Sequence, residues 1–218
     1  MRHRIPLFAA ALFLAGQIAA GAQTISIADA RNLPPGTVVT VEGSVTVPSG
    51  SFTSSTFDQG FAIQDETAGI YVSTAFDSGL NFHHHVRVTG TLGDDGFGLL
   101  VLRPASEADV VKIPGATNIA PATVSTGDVS EATEGLLVEV EGIITRGPTD
   151  DLPYGYSVFI DDGSGETQIF IPASTGVNPF NIPWVTVGNS IRVTGFSAQF
   201  LGQYEVLPRF RGDIHPAN

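Results

Sequence analysis

Apolar and polar residues alternate along two segments of the chain that are copies of each other. Residues 38–46 read VVTVEGSVT and residues 137–145 read LVEVEGIIT. Alternation with period two over this length predicts a half-buried β-strand. Each copy carries a central glycine, Gly43 or Gly142, and the two glycines lie 99 positions apart. Because glycine inside a strand usually marks a bulge or sharp bend, each strand is predicted to bend there and to pair in both of its halves.

The repeat continues beyond these strands in the same order. Both copies predict a hairpin followed, after a variable connection, by two more strands, and the letters RVTG recur at an offset of 105 residues. The predicted pairs of equivalent strands are 60–65 and 156–161, 69–73 and 168–171, 86–92 and 191–197, and 99–104 and 204–209. One short helical turn, capped by Ser26, is predicted over 26–33, with a counterpart over 125–133.

A long first strand bent at glycine, followed by four shorter strands, is typical of an OB-fold barrel. The phrases GTVVTVEGSVT, FAIQDETAGIYV, VRVTGTL and LLVLRP resemble bacterial secreted OB-fold domains of the kind appended to extracellular nucleases. The second copy, with LLVEVEGIIT, VFIDDGSGETQIFI, IRVTGFS and EVLPR, resembles the same family. The predicted fold class is therefore all-β, with two tandem five-stranded OB-fold barrels after an N-terminal signal peptide. The expected boundaries are 1–22 for the signal peptide, 23–115 for the first barrel and 116–218 for the second.

The first 22 residues have the pattern of an export signal. Arg2 and Arg4 form a basic start, residues 5–15 are an apolar run, and Ala20-Gly21-Ala22 fits a small-x-small cleavage site. The apolar run is short for a bilayer span. We therefore expect a mature protein that begins near Gln23, has no transmembrane span and is exported to the periplasm or the medium.

The charge of the chain opposes strong binding to nucleic acid. There are 10 basic and 22 acidic residues, a net charge of −12, and loss of Arg2 and Arg4 with the signal takes it to −14. A nucleic-acid binder normally shows an excess of Lys and Arg. The resemblance implies single-stranded nucleic acid as the ligand class, and the acidic balance predicts that such binding is weak.

Candidate ligand-binding residues follow from the OB-fold face on which ligands usually lie, namely strands two and three with the loops joining strands one to two and four to five. Strand alternation predicts that Tyr71 and Phe170 point outward, between inward-facing neighbours such as Ile70 and Val72. The full predicted set is Tyr71, Phe170, Arg87, Arg192, Phe97 and Phe200. Further loop aromatics are Phe52, Phe57 and Tyr154. Exposed aromatics with a few arginines form stacking platforms for bases or sugars.

Two alternatives stay open for this face. Tyr71 and Phe170 would instead pack against the neighbouring barrel, as aromatic side chains commonly do. The protein would then be a structural or interaction module that meets an envelope protein. An oligosaccharide is a further option for the ligand, because the same aromatic face stacks on sugars. A nucleic-acid site requires the arginines to gather on one face; the four that matter are Arg87, Arg192, Arg103 and Arg209.

The sequence predicts no catalytic residues, no metal site and no cofactor. The three consecutive histidines, 83–85, are interpreted as a solvated turn before strand four. The Asp- and Gly-rich segments 94–96 and 161–166 depart from calcium-loop spacing and are interpreted as tight turns. The chain also lacks a G-x-S-x-G elbow, a phosphate-binding loop and any cysteine. We therefore expect a binding protein rather than an enzyme.

Overall fold

The computed structural model describes residues 23–217 and consists mainly of β-strands. The strands are β1 Thr24–Ile25, β2 Val38–Val47, β3 Phe61–Gln64, β4 Gly69–Val72, β5 His85–Asp94, β6 Leu100–Arg103, β7 Val110–Ile113, β8 Ala122–Thr123, β9 Leu137–Asp151, β10 Gly155–Asp161, β11 Thr167–Pro172, β12 Ser190–Phe200, β13 Gln203–Leu207 and β14 Ile214–Pro216. The α-helices are α1 Ile27–Arg31 and α2 Thr53–Thr56. Single 3₁₀ turns cover Glu107–Asp109, Thr126–Asp128, Ala173–Thr175, Pro179–Asn181 and Arg211–Asp213.

Each copy of the repeat closes into a ring of five strands. The first ring runs β2-β3-β4-β6-β5 and closes by pairing of β5 with β2. The second runs β9-β10-β11-β13-β12 and closes by pairing of β12 with β9. Strand β4 is parallel to β6 in the first ring, and β11 is parallel to β13 in the second. The other neighbouring strands within the rings are antiparallel. This is the Greek-key barrel of the OB-fold, so the predicted fold class of two tandem five-stranded barrels is confirmed. The predicted signal peptide, 1–22, lies outside the described residues.

The long first strand of each barrel changes partner immediately after its central glycine. Strand β2 pairs with β5 up to Ser44 and with β3 from Ser44 onward. Strand β9 pairs with β12 up to Ile143 and with β10 from the same residue onward. A Cβ atom on Gly142 would lie 2.9 Å from the backbone carbonyl carbon of Asp161. Glycine is therefore needed because the neighbouring strand approaches the bend closely.

Alternation along the strands separates the barrel cores from the surfaces around them. Ile70 and Val72 lie in the core of the first barrel, while Ile169 and Ile171 lie in the core of the second. A third apolar cluster joins the barrels; it comprises Val47, Phe52, Ala62, Tyr71, Leu99 and Val101 from the first, with Phe170, Phe196, Ala198 and Leu207 from the second. The two barrels therefore share a buried interface.

Polar groups and closely packed backbone complete this interface. The Arg31 guanidinium donates to the Glu134 carboxylate at 3.0 Å and to the Gly69 carbonyl at 3.2 Å. A Cβ atom on Gly69 would lie only 1.9 Å from the carbonyl oxygen of Gly135, so the two glycines let the backbones of the two barrels meet. The Arg209 guanidinium donates to the Thr46 carbonyl at 2.9 Å.

Some local predictions are confirmed and others need correction. Helix α1 is capped by the Ser26 hydroxyl, which accepts from the Asp29 amide at 3.0 Å, as predicted. Its expected counterpart contains only the 3₁₀ turn Thr126–Asp128. The short strands β1, β7, β8 and β14 at the sheet edges were not predicted. None of the helices between residues 23 and 217 has the length and apolar content needed to cross a membrane.

Candidate functional site

A cleft of about 530 Å³ lies where the two barrels meet, and we call it the inter-barrel cleft. Its aromatic lining consists of Phe52, Phe57, Tyr71, Phe97, Tyr154, Phe170, Phe196 and Phe200. Its acidic lining consists of Asp95, Asp151 and Glu205. The remaining lining residues are Ser55, Thr56, Leu99, Gln168, Ala198, Gln199 and Leu207. Its volume is in the range of cavities that hold small organic ligands.

The mouth of the cleft is formed by equivalent loops of the two barrels. Phe57, between β2 and β3, meets Tyr154, between β9 and β10, edge to face with ring centroids 5.7 Å apart. Phe97, between β5 and β6, stacks on Phe200 at the end of β12 with centroids 5.2 Å apart. The Leu201 amide donates to the Phe97 carbonyl and ties the second pair of loops together. All four rings are more than one-third exposed, so they are accessible to a ligand.

The floor of the cleft is made of aromatic side chains that point away from their own barrels. Tyr71 on β4 and Phe196 on β12 lie with ring centroids 5.9 Å apart. The Tyr71 hydroxyl donates to the Asp58 carboxylate at 2.7 Å. Burial, with a smaller effect of the Asp58 charge, raises the pKa of Tyr71 well above 10. The Tyr71 hydroxyl is therefore neutral at physiological pH, and its hydrogen bond to Asp58 holds the ring in place in the floor.

Two of the predicted site residues need a correction about their surroundings. Tyr71 and Phe170 point outward from their barrels as strand alternation requires, but they are only 2% and 8% exposed. The expected solvent-exposed platforms are wrong because each outward face is covered by the other barrel. Both rings still line the inter-barrel cleft, together with the predicted loop residues Phe97 and Phe200.

The predicted arginines lie elsewhere. Arg87 on β5 donates to the Glu42 carboxylate of the adjacent β2 at 2.7 Å. Arg192 on β12 donates to the Glu141 carboxylate of β9 at 2.8 Å, and this hydrogen bond is the main cause of its raised pKa. Neither guanidinium lines the cleft, so the expectation that they stand beside the aromatic rings is wrong. The alternating strands place them opposite acidic side chains instead.

The other two arginines also have partners outside the cleft. Arg209 forms a buried ion pair with Asp213 at 2.8 Å. The Arg103 guanidinium donates to the Asp94 carbonyl at 2.7 Å. Within residues 23–217, none of the side chains that line the cleft is basic.

Glu205 is a site residue that the sequence predictions missed. It lies on β13, is 7% exposed and lines the cleft. Burial raises the pKa of its carboxyl to about 8, and within the described part of the chain no hydrogen bond or neighbouring charge contributes to that shift. The sequence held a signal for it, because Glu205 lies in the predicted strand 204–209, whose counterpart 99–104 contains no acidic residue.

Asp95 and Asp151 are the other two acids of the cleft. The Asp95 carboxylate accepts from the amides of Phe97 and Leu99 at 2.8 and 3.1 Å, so it shapes the turn that carries Phe97. Burial is the main reason that the pKa of Asp95 is raised. Asp151 is exposed at the end of β9. The segment 94–96 is thus a turn, as predicted, and it also contributes a carboxylate to the cleft.

The other polar segments that the sequence singled out lie in turns or at the ends of the strands beside them. His84 accepts from the Asn81 amide at 2.9 Å, while His85 opens β5 and lies 3.1 Å from the Ser44 hydroxyl. Hydrogen bonds from Ser164 and Thr126 hold the pKa of Asp162 well below its usual range. Between residues 23 and 217, no group of three or more His, Asp or Glu side chains is arranged to hold a metal ion.

Comparison with known proteins gives distant structural similarity only. No protein-family model and no curated protein matches the chain. A murine DNA-binding protein bound to double-stranded DNA is 12% identical, with 82% of this chain and 96% of that chain covered and a TM-score of 0.41. The tetrameric p202 HIN2 domain is 12% identical, with 84% and 96% covered and a TM-score of 0.39. A replication protein A heterotrimer bound to single-stranded DNA is 8% identical, with 90% and 70% covered and a TM-score of 0.31. The fold assignment of this chain rests on its own strand pairing.

Proposed function

We propose that the protein is an exported, non-catalytic binding module whose ligand lies in the inter-barrel cleft. The observation that carries this proposal is the cleft itself, because it is concave, largely aromatic and open at its mouth. Concave sites with apolar walls and a few polar groups are the usual form of small-molecule sites in proteins. Export is inferred from the N-terminal sequence, and the association with extracellular nucleases stays a prediction from the resemblance.

The charges of the cleft favour a small organic ligand over a polyphosphate. Its lining contains three acidic side chains, and the basic side chains of the neighbouring strands are paired with acids of their own. A phosphate group would have to enter beside Asp95 and Asp151, and no basic side chain among the lining residues would offset the repulsion.

Single-stranded nucleic acid is a second candidate ligand, favoured by one feature. The stacked and exposed pair Phe97 and Phe200 offers a surface on which a base could stack. Stacking on an aromatic side chain supplies roughly 1 to 3 kcal/mol per base. Because few counterions would be released, we expect weak binding with a shallow dependence on salt concentration.

Fluorescence titration tests the proposed site directly. The neutral, environment-sensitive dye prodan is expected to bind the wild type, and the double variant Phe97→Ala/Phe200→Ala is expected to bind it at least tenfold more weakly. Phe180→Ala/Phe210→Ala is the matched control, because these rings are similarly exposed but lie outside the cleft. Equal loss of binding in both double variants would contradict the assignment of the cleft as the site.

A titration at low salt separates the nucleic-acid candidate from the small-molecule one. A fluorescein-labelled single-stranded oligonucleotide would be followed by anisotropy with the same variants. Binding that the Phe97→Ala/Phe200→Ala substitution weakens supports stacking at the mouth. Absence of binding by the wild type at low salt, where electrostatic attraction is least screened, rules the candidate out.

A further inference from the structure

The inter-barrel cleft combines aromatic rings with carboxyl groups. Eight of its lining residues are aromatic and three are acidic. We propose that the ligand is an organic cation, an alkylammonium or arylalkylammonium compound whose ammonium group pairs with Glu205 and whose apolar body lies among the rings. This inference rests on the proposed function, since it names the class of ligand for the same cleft.

The position of Glu205 supports the ammonium partner. A buried carboxyl group without a hydrogen-bond partner is costly, and 93% of Glu205 is buried while its side chain faces the cleft. Within residues 23–217 no charged or hydrogen-bonding side chain compensates its burial. A bound ammonium group would supply both the opposite charge and the hydrogen bonds that the fold leaves out.

The aromatic walls support the same class of ligand. Rings attract cations through their negative faces, and most strongly where water is excluded. Tyr71, Phe170 and Phe196 surround the floor near the strand that carries Glu205, and Phe97 and Phe200 stand at the mouth. An inorganic cation would leave these rings without apolar contacts, whereas an ammonium with a hydrocarbon body uses both features.

The electrostatics of the cleft predict that binding releases a proton. Glu205 is protonated at neutral pH when no cation lies beside it, because burial raises its pKa to about 8. An ammonium beside it favours the carboxylate, so the proton leaves as the ligand enters. The other titratable groups lining the cleft are Asp95, Asp151, Tyr71 and Tyr154, and the neighbouring strands present only uncharged side chains there, Gln168, Phe170, Ala198 and Gln199.

Isothermal titration calorimetry with three probes of one skeleton tests the inference. The probes are 4-phenylbutylamine, 4-phenylbutanol and 4-phenylbutyrate, which are a cation, a neutral molecule and an anion at pH 7. We expect the amine to bind at least tenfold more tightly than the alcohol or the acid. Repeating the amine titration in buffers of different ionisation enthalpy should show release of up to one proton, and affinity should rise from pH 6 to pH 8.

The variant Glu205→Gln keeps the shape of the side chain and removes its charge. It is expected to weaken amine binding at least tenfold and to abolish proton release, so that the amine loses its preference over the alcohol. Should this variant fold poorly, the proton release of the wild type still tests the inference. Equal affinity for all three probes would overturn the cation inference and leave the cleft as a binding site. Absence of amine binding would overturn it as well, while the dye titration tests the site independently.

Discussion

Glu205 occupies a position where an aliphatic side chain would stabilise the barrel better. In the first barrel the corresponding position on the last strand is Val101. Val101 pairs with Gly93 of β5, and Glu205 pairs with Ala198 of β12, which lies 105 positions further along the chain. Val101 is fully buried in the cluster that joins the barrels. The second barrel therefore carries the cost of a desolvated carboxyl group where the first has a hydrocarbon.

The first prediction is that Glu205 makes the protein less stable as pH rises from 5 to 8. The pKa of this carboxyl is about 8 in the folded protein against an ordinary value of 4.5. Between these values the folded state holds a proton that the unfolded state has lost, so the free energy of unfolding falls by about 1 kcal/mol per pH unit. The stabilisation is fully present below pH 4.5 and is lost as pH passes 8.

Urea unfolding at pH 5, 6.5 and 8 measures this effect. The variant Glu205→Gln should remove the slope due to this group, and the difference between its curve and that of the wild type isolates Glu205 from other carboxyls with raised pKa values, such as Glu134 and Asp95. Glu107→Gln is the control, because Glu107 is exposed. If the free energy of unfolding depends on pH in the same way in the wild type and in Glu205→Gln, the Glu205 carboxyl has an ordinary pKa and the prediction is wrong.

The bent first strand of each barrel depends on a glycine without space for a side chain. The second prediction is that Gly142→Ala lowers the free energy of unfolding by about 1 to 3 kcal/mol. The added methyl would lie 2.9 Å from the carbonyl carbon and 3.0 Å from the amide nitrogen of Asp161, so one of the paired strands must shift. Chemical denaturation at pH 7 measures the change.

Gly202→Ala is the matched control for this substitution. Its added methyl would meet nothing within 4 Å, so we expect a change within about 0.5 kcal/mol. Equal destabilisation by the two substitutions would show that the close approach of Asp161 does not account for the effect at Gly142.

The strands with a strong sequence pattern were predicted, whereas the short strands at the sheet edges were missed. Alternation along β2 and β9, the repeated hairpins and the two repeated strands after them predicted all ten barrel strands. The largest error is at β9, which continues to Asp151 instead of ending at residue 145. The short strands β1 and β8 contain two residues each, too few for alternation to show. Their pairing depends on the long strands that they flank, and no local property of two residues encodes that.

At the scale of the whole molecule, the shared apolar cluster should make the two barrels unfold together. The third prediction is that calorimetry of the wild type shows one transition with equal calorimetric and van't Hoff enthalpies. Gly69→Ala is expected to split it into two, because the added methyl would lie 1.9 Å from the Gly135 carbonyl oxygen of the other barrel. Gly69 opens β4, where alanine fits the local backbone, so the strain falls on the interface.

The control for this experiment is again Gly202→Ala, which should keep a single transition. A Gly69→Ala variant that unfolds in one transition at the temperature of the wild type would contradict the close contact between Gly69 and Gly135 at the interface of the two barrels. Two transitions in the wild type would show that the barrels are independent domains.

The fourth prediction concerns export. The basic start, short apolar run and small residues before Gln23 predict cleavage there. N-terminal sequencing of protein recovered from the envelope or the medium should begin at or near Gln23. Recovery of uncleaved protein with Met1 in a membrane fraction would contradict this prediction.

The candidate site was only partly predictable because it belongs to two barrels at once. Period-two alternation gives the direction of Tyr71 and Phe170 but does not distinguish water from a neighbouring domain. The loop residues Phe97 and Phe200 were selected for each barrel separately, and their mutual stacking follows from the way the barrels pack. Glu205 becomes significant only once that packing surrounds it with aromatic rings.

The pairing of equivalent loops at the mouth of the cleft has a consequence for symmetry. Phe97 meets Phe200, and Phe57 meets Tyr154, so each loop of one repeat contacts its own counterpart. Contacts of this kind are isologous, as in a two-fold dimer of a single barrel. A true dimer would carry either two copies of Glu205 or two of Val101 across its axis. Joining both halves in one chain allows one of each, so a carboxyl group is buried on one side of the shared interface and a hydrocarbon side chain on the other.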